Sequence, residues 1–298
     1  MAAHPNAAPA RPDDSTNHGV RVVVAWLVLS AIATPLVAIY VGPLIPPGNG
    51  SVQSQGQVFD NQVMTSLITP IICLLVVFFG YGLIQFHAKR NEAILDGPPI
   101  RNDAQVQTLW IVITMAMVLF LAGFGTYQLL VDGAGGGQGP NPVALPADHQ
   151  NAYPIQVIGQ QWQFTYRYPS LGGMESNQLM LPENTLVVLH VTSLDVVHSF
   201  WAYELGLKAD ANPGVDNVVY VQTKSPMTFH VRCAELCGLW HPYMFNNGYV
   251  VSHQAFSRWA AHALSIYRSI KPYVNRPPDK GGAPFAYTYL PEPTRRAG

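Results

Sequence analysis

Residues 233 to 244 read Cys233-Ala-Glu-Leu-Cys237-Gly-Leu-Trp-His241-Pro-Tyr-Met244. Two thiols, an imidazole and a thioether within twelve residues make a soft donor set, and soft donors select copper over magnesium, calcium or manganese. Zinc is disfavoured, because Met is a poor zinc ligand and the spacing is not Cys-x-x-Cys. A blue-copper site uses one Cys. A second Cys one short loop away can bridge a second copper through both sulfurs, and the pair then asks for one more imidazole. Of the other histidines, His4 and His18 lie in the polar N-terminus, His87 follows an apolar segment, His149 sits in a joint, and His253 and His262 belong to a C-terminal helical stretch. His190 and His230 fall inside strand-like runs, where a hydrogen-bonded, half-buried histidine is expected. His198, in Asp195-Val-Val-His-Ser-Phe-Trp201 just past a strand end, has the freedom of a loop. Two plainer readings stand beside this one: a Cys233–Cys237 disulfide in an oxidising compartment, and Met244 as core packing.

Working outward, the stretch from Tyr153 shortens into β-like runs separated by Gly, Pro and Asn. These are Ile155 to Tyr168, Thr185 to Thr192, Asn217 to Thr223, Met227 to Cys233 and Tyr249 to Ser252, rich in Val, Tyr, Phe and Thr. Several short strands within roughly a hundred residues predict a β-sandwich or small barrel over residues 151–268. From Gln254 to Tyr267 the period switches, placing Phe256, Trp259, Ala260, Ala263, Leu264 and Tyr267 on one helical face. The Pro-rich tail, 269–298, reads as extended and suited to wrapping a partner or the membrane surface.

The first half carries a different signal. Of 298 residues only 11% are charged while 49% are hydrophobic, where a soluble domain has roughly 25% charged. That excludes a disordered chain, and a net charge of −1 gives no sign of nucleic-acid binding. Three apolar segments, Val22 to Val41, Val63 to Phe86 and Thr108 to Val131, are each about 20 residues or more, enough to cross roughly 30 Å of hydrocarbon. The second and third form a hairpin over 63–131, and Cys73 within it is an apolar filler. The first, over 22–41, fits either a retained span or a cleaved secretory signal, since Ala31-Ile32-Ala33 offers a small-residue cleavage site. Residues 1–21 read as a disordered N-terminus. The loop at 87–106 holds Lys89, Arg90 and Arg101, whereas Gly42 to Gln62 holds no basic residue. The basic loop is therefore cytoplasmic, and everything after Asp132 lies on the periplasmic or extracellular side of the cell membrane. A Gly-rich linker, 132–150, joins the hairpin to the β domain.

In these features the sequence resembles subunit II of the heme-copper cytochrome c oxidases over about Val63 to Ala261. The resemblance rests on His198, the full Cys-x-Glu-x-Cys-x-x-x-His-x-x-Met run, Gly159-Gln-Gln-Trp162, Leu207-Lys-Ala-Asp-Ala-Asn-Pro-Gly214 and the preceding transmembrane hairpin. It implies membrane helices followed by a cupredoxin-like domain with a binuclear copper A centre. It further implies that His198, Cys233, Cys237, His241, Met244 and the backbone carbonyl of Glu235 hold two copper ions. The Glu235 side chain matches a ligand to a magnesium or manganese ion at the border with subunit I, and Lys208 and Asp210 match the stretch facing that border. Trp162 matches the aromatic residue that receives the electron from cytochrome c. The implied partners are subunits I and III and a cytochrome c, and the implied activity is delivery of electrons to subunit I for reduction of oxygen to water. A copper A nitric oxide reductase subunit and a membrane-anchored copper carrier are the alternatives.

Several positions depart from the family pattern. Gln163 and Phe164 stand where many members have Tyr and Trp, and Arg167 where an acidic docking residue is common. Gln107 stands where many place a proton-channel glutamate, leaving Asp103 as the nearby carboxylate, and the first apolar segment has no counterpart in the two-helix form. Residues 151–257 carry four basic and seven acidic groups, a net of −3. That is little field for steering a basic soluble cytochrome, so a donor held nearby is expected, either membrane-anchored or part of a quinol-oxidising complex.

Overall fold

The computed structural model describes residues 17–45, 48–87, 103–131, 137, 139–142 and 144–274, with side chains as far as Tyr267. The predicted disordered N-terminus up to residue 16, the basic loop residues Lys89, Arg90 and Arg101, the first part of the linker and the tail from residue 275 lie outside the described residues. The chain divides into two compact units, one of residues 1–42 with 61–103, the other of residues 43–60 with 104–298.

Three helices are long and apolar enough to cross a membrane: α1 (His18–Tyr40), α2 (Val52–Gln85) and α3 (Ala104–Val131). Each starts before its predicted segment, because hydropathy marks only the lipid-facing part of a helix. The Asn17 side chain, accepting from Val20 N at 3.1 Å, caps α1 before its first apolar residue. In the first unit α1 and the C-terminal part of α2 share two hydrogen bonds. The Trp26 indole donates to the Pro70 carbonyl at 2.8 Å, and His18 Nδ1 pairs with Tyr81 Oη at 2.7 Å. Thr65, Ser66 and Thr69 donate their hydroxyls to carbonyls one turn back, which satisfies polar groups that lipid would leave unpaired.

In the second unit the start of α2 is stitched to the β domain. Ser51 bridges Thr223, its hydroxyl donates to the Leu205 carbonyl at 2.6 Å, Gln57 Nε2 donates to the Gly206 carbonyl at 2.9 Å, and Gln222 N donates to Gln53 Oε1 at 2.9 Å. Gly48 approaches closely enough, with φ of +132°, that a Cβ there would lie 2.2 Å from Glu204 Cα. Between α2 and α3, Gln128 Nε2 donates to Asp60 Oδ1 at 3.1 Å.

The β domain is a two-sheet sandwich, as expected. Its strands are β1 (Tyr153–Gln160), β2 (Gln163–Tyr168), β3 (Met174–Ser176), β4 (Leu179–Pro182), β5 (Leu186–Ser193), β6 (His198–Ala202), β7 (Leu207–Ala211), β8 (Asn217–Gln222), β9 (Met227–Cys233) and β10 (Phe245–Val251). One sheet runs β3-β2-β1-β5-β8, the other β4-β10-β9-β6-β7; β1–β5 and β10–β4 pair in parallel and the remaining neighbours antiparallel. Alternation drives the packing. In β7, Leu207, Ala209 and Ala211 are buried while Lys208 and Asp210 are exposed, and in β9, Phe229, Val231 and Cys233 point inward. Tyr166, Tyr168, Phe200 and Phe229 fill the space between sheets.

Three expectations need correction. The run from Ile155 to Tyr168 is two strands, folded at Gln161-Trp162 so that Gln160 pairs with Gln163; a strand-like run hides a turn whose two central residues are neither Gly nor Pro. His198 is not a loop residue: it opens β6 and is fully buried. The helix after β10, α4 (His253–Val274), continues past Tyr267, so the first residues of the predicted extended tail are helical. Strands β3, β4, β6 and β7 were missed, being short or, in β7, built on Ala and charged residues with weak strand preference.

Candidate metal centre

The inner end of β9 delivers Cys233, the loop after it delivers Cys237 and His241, Met244 immediately precedes β10, and β6 presents His198. Cys233 Sγ lies 3.7 Å from Cys237 Sγ and 3.8 Å from His198 Nδ1; Cys237 Sγ lies 3.5 Å from His241 Nδ1 and 3.9 Å from Met244 Sδ. The Glu235 carbonyl is 3.2 Å from Cys233 Sγ. Ligating atoms of His198, Cys233 and Cys237 all fall within 4.8 Å of one another. His198, Cys237 and Met244 are buried, Cys233 nearly so, and His241 is half-buried.

The two thiols are free, and their separation far exceeds the roughly 2.05 Å of a disulfide, so that pairing is absent here. Met244 faces the sulfurs as well as the core, which joins its two readings. Burial pushes the Cys237 thiol up to about 12 from 9.0, with the neighbouring Cys233 adding to the effect. Burial disfavours a bare thiolate at Cys237, and a soft, thiolate-binding metal such as copper would supply the opposing charge.

The imidazole of His198 is fixed from behind. Its Nε2 pairs with Asp195 Oδ1 at 2.9 Å, leaving Nδ1 for the site. Burial works to raise the Asp195 carboxyl, but hydrogen bonds from Gln161 N, His198 and Val196 N outweigh it and hold it below its ordinary value. The ring packs against Phe164 and over Gly159, where a Cβ would come within 3.1 Å of it. Trp162 is half-buried beside the centre, and its indole donates to the Cys237 carbonyl at 3.1 Å.

Comparison with known proteins bears on this arrangement. Residues 174–251 match the family described as cytochrome c oxidase subunit II, periplasmic domain. Cytochrome c oxidase subunit 2 of Synechocystis sp. is 27% identical over 232 residues, covering 66% of this chain and 69% of that one. The chain thus carries a cytochrome c oxidase subunit II periplasmic-domain match over residues 174–251, and the relatives it resembles bear the name cytochrome c oxidase subunit 2. A probable cytochrome c oxidase subunit 2 of Rickettsia prowazekii is 26% identical over 219 residues, with 65% of this chain and 63% of that one covered. The periplasmic domain of subunit II of cytochrome oxidase of Bradyrhizobium japonicum is similar at 29% identity, with 39% of this chain and 95% of that one covered and a TM-score of 0.38.

The other residues singled out from the subunit II resemblance lie as follows. Lys208 and Asp210 are exposed on one face of β7, with Asp210 accepting from Ser199 Oγ at 2.7 Å. The Glu235 residue is exposed beside the donor cluster. Arg167 pairs with Glu175 at 2.7 Å, and Gln163 is exposed. His190 and His230 are engaged by Asp216 and Glu204, though His230 is about half exposed rather than enclosed. Asp195 and Gln161 were not singled out in advance. The three-residue step from Asp195 to His198 was a readable signal for the first, whereas nothing in sequence spacing links Gln161 to Cys237.

Proposed function

We propose that this chain is the electron-accepting subunit of a respiratory terminal oxidase, passing electrons from a cytochrome c to a heme-copper subunit I that reduces oxygen to water. The observation that carries this reading is the convergence of two thiols, two imidazoles and a thioether into one buried cluster whose Cys237 carbonyl is hydrogen-bonded by the half-exposed Trp162.

His198, Cys233, Cys237, His241, Met244 and the Glu235 carbonyl would hold two copper ions. Bound there, the pair would supply a one-electron relay whose charge is shared across two thiolates. The chain's own part is to keep the donors still and dry. His198 is wedged between Asp195 and Gly159, Cys233 N donates to the Met244 carbonyl at 3.0 Å, and Ala234 N donates to the Ser199 carbonyl at 2.8 Å. Such enclosure suits a fixed cofactor better than the exchangeable site of a copper carrier. Trp162 offers a partner an aromatic ring one hydrogen bond from the Cys237 backbone. The exposed Glu235 carboxylate is assigned to a magnesium or manganese ion shared with subunit I. Subunit III is a further expected neighbour. The three apolar helices support a reading in which the chain is anchored in the cell membrane, with the β domain outside and α1 a retained third span.

The donor is read as a cytochrome held nearby, anchored in the membrane or carried by a quinol-oxidising complex. Of the acidic groups in the β domain, Glu175, Asp195, Glu204, Asp210 and Asp216 are already engaged by Arg167, His198, His230, Ser199 and His190. Of these, only Glu175 is neutralised by a full ion pair, but the domain's net charge of −3 is still a weak field for drawing in a basic protein. In the assembled oxidase, Trp162→Ala should slow electron uptake while leaving the copper spectrum intact, and uptake should depend only weakly on ionic strength. A steep fall in rate between low and physiological salt, or an unchanged rate in Trp162→Ala, would contradict this.

A further inference from the structure

The donors come from two segments, and both segments are tied to one residue that belongs to neither. Gln161, at the β1–β2 turn, donates its backbone amide to Asp195 Oδ2 at 2.7 Å and its side-chain amide to the Cys237 carbonyl at 2.9 Å. Asp195 in turn holds His198 Nε2 through its other oxygen. One residue thus reaches the imidazole of one segment through a carboxylate and the thiol-bearing backbone of the other directly.

This cross-tie sits where the strand ladder cannot act. Pairing of Phe200 with Cys233 fixes the inner ends of β6 and β9. Past Ala234 the loop turns on hydrogen bonds of its own, His241 N to the Gly238 carbonyl and Tyr243 N to the Trp240 carbonyl, which fix its shape without fixing its place. Gln161 and Trp162 supply the second anchor at Cys237. With their two donors the carbonyl has both lone pairs engaged.

We propose that Gln161 is a positioning residue that couples the two donor segments, so that displacement of the Cys237 loop is felt at His198. A relay with small reorganisation needs its donors to keep their mutual distances, and segments 35 residues apart keep them only if something rigid spans them. Gln161 touches no donor atom itself; it acts through Asp195 and the Cys237 backbone.

The inference is built on the copper reading, and its test has an arm that does not depend on metal. Gln161→Met nearly preserves the side-chain volume and removes the amide that donates to Cys237, and Gln163→Met, at the exposed position two residues on, serves as the control. In the copper-free full-length chain, hydrogen exchange should quicken in Gln161→Met within both 193–198 and 234–241, and in neither segment for Gln163→Met. After copper loading, metal loss to a chelator should be about two- to tenfold faster in Gln161→Met, the scale of one hydrogen bond. Exchange that matches the unsubstituted chain, or that changes in 234–241 alone, would overturn the coupling. Failure of the unsubstituted chain to take up copper would refute the copper reading instead, and the exchange arm would still decide this one.

Discussion

Cys237 is held on both its sulfur and its carbonyl. Its sulfur faces Cys233, His241 and Met244, and its carbonyl receives two donors from another strand turn. Substitutions should therefore grade by donor strength. On the proposed reading, Cys233→Ser or Cys237→Ser removes a thiol that would hold both metals and should abolish copper-pair binding, whereas Met244→Leu should keep copper and shift its reduction potential, a thioether being the weaker donor. Elemental analysis and a redox titration check this order, and equal metal loss in all three variants would contradict it. The side chains of the cluster were legible in the sequence because four of them lie within one short run, and the fifth was the histidine left over once the others were placed. What the run could not convey is burial. His198 read as a free loop residue because Asp195-Val-Val precedes it, yet a strand begins on it and Asp195 turns back to clasp it. Gly159-Gln-Gln-Trp162 stood out as a motif, but the contact Gln161 makes was not legible, because it crosses from one sheet to the other and contacts between sheets have no sequence period.

Among the elements, the three apolar helices and the sandwich were legible because hydropathy and alternation are strong local signals. The stitching of α2 onto the β domain was not, since Gly48, Ser51, Gln53 and Gln57 read as ordinary polar linker residues. Their partners, Glu204, Leu205, Gly206, Gln222 and Thr223, lie far along the chain. Gly48 tests that stitching. A Cβ there meets the backbone of Glu204, and the φ of +132° disfavours any L side chain, a combination that costs about 1–3 kcal/mol. Gly48→Ala in the full-length chain should lower the melting temperature of the β domain by several degrees. An unchanged melting curve would mean the segment does not stabilise the domain.

At the scale of the whole molecule, three apolar helices and a β-sandwich share a chain with very few charges, and most of the sandwich's carboxylates are held by hydrogen bonds within it. The domain's exposed large apolar side chains gather instead beside the donor segments: Val196 and Val197 next to His198, and Leu236, Leu239, Trp240 and Tyr243 around Cys237 and His241. Composition alone foretold the sparse charge. Where the apolar side chains gather depended on the fold, because it follows from which loops the strands bring together. Everything assigned to this chain rests on its binding copper as a pair, and the most direct measurement is the copper content of the purified full-length chain together with its electron paramagnetic resonance spectrum. Two copper ions per chain, with one unpaired electron coupled to two equivalent nuclei, is the expected result. One copper per chain with a single-nucleus spectrum would contradict it.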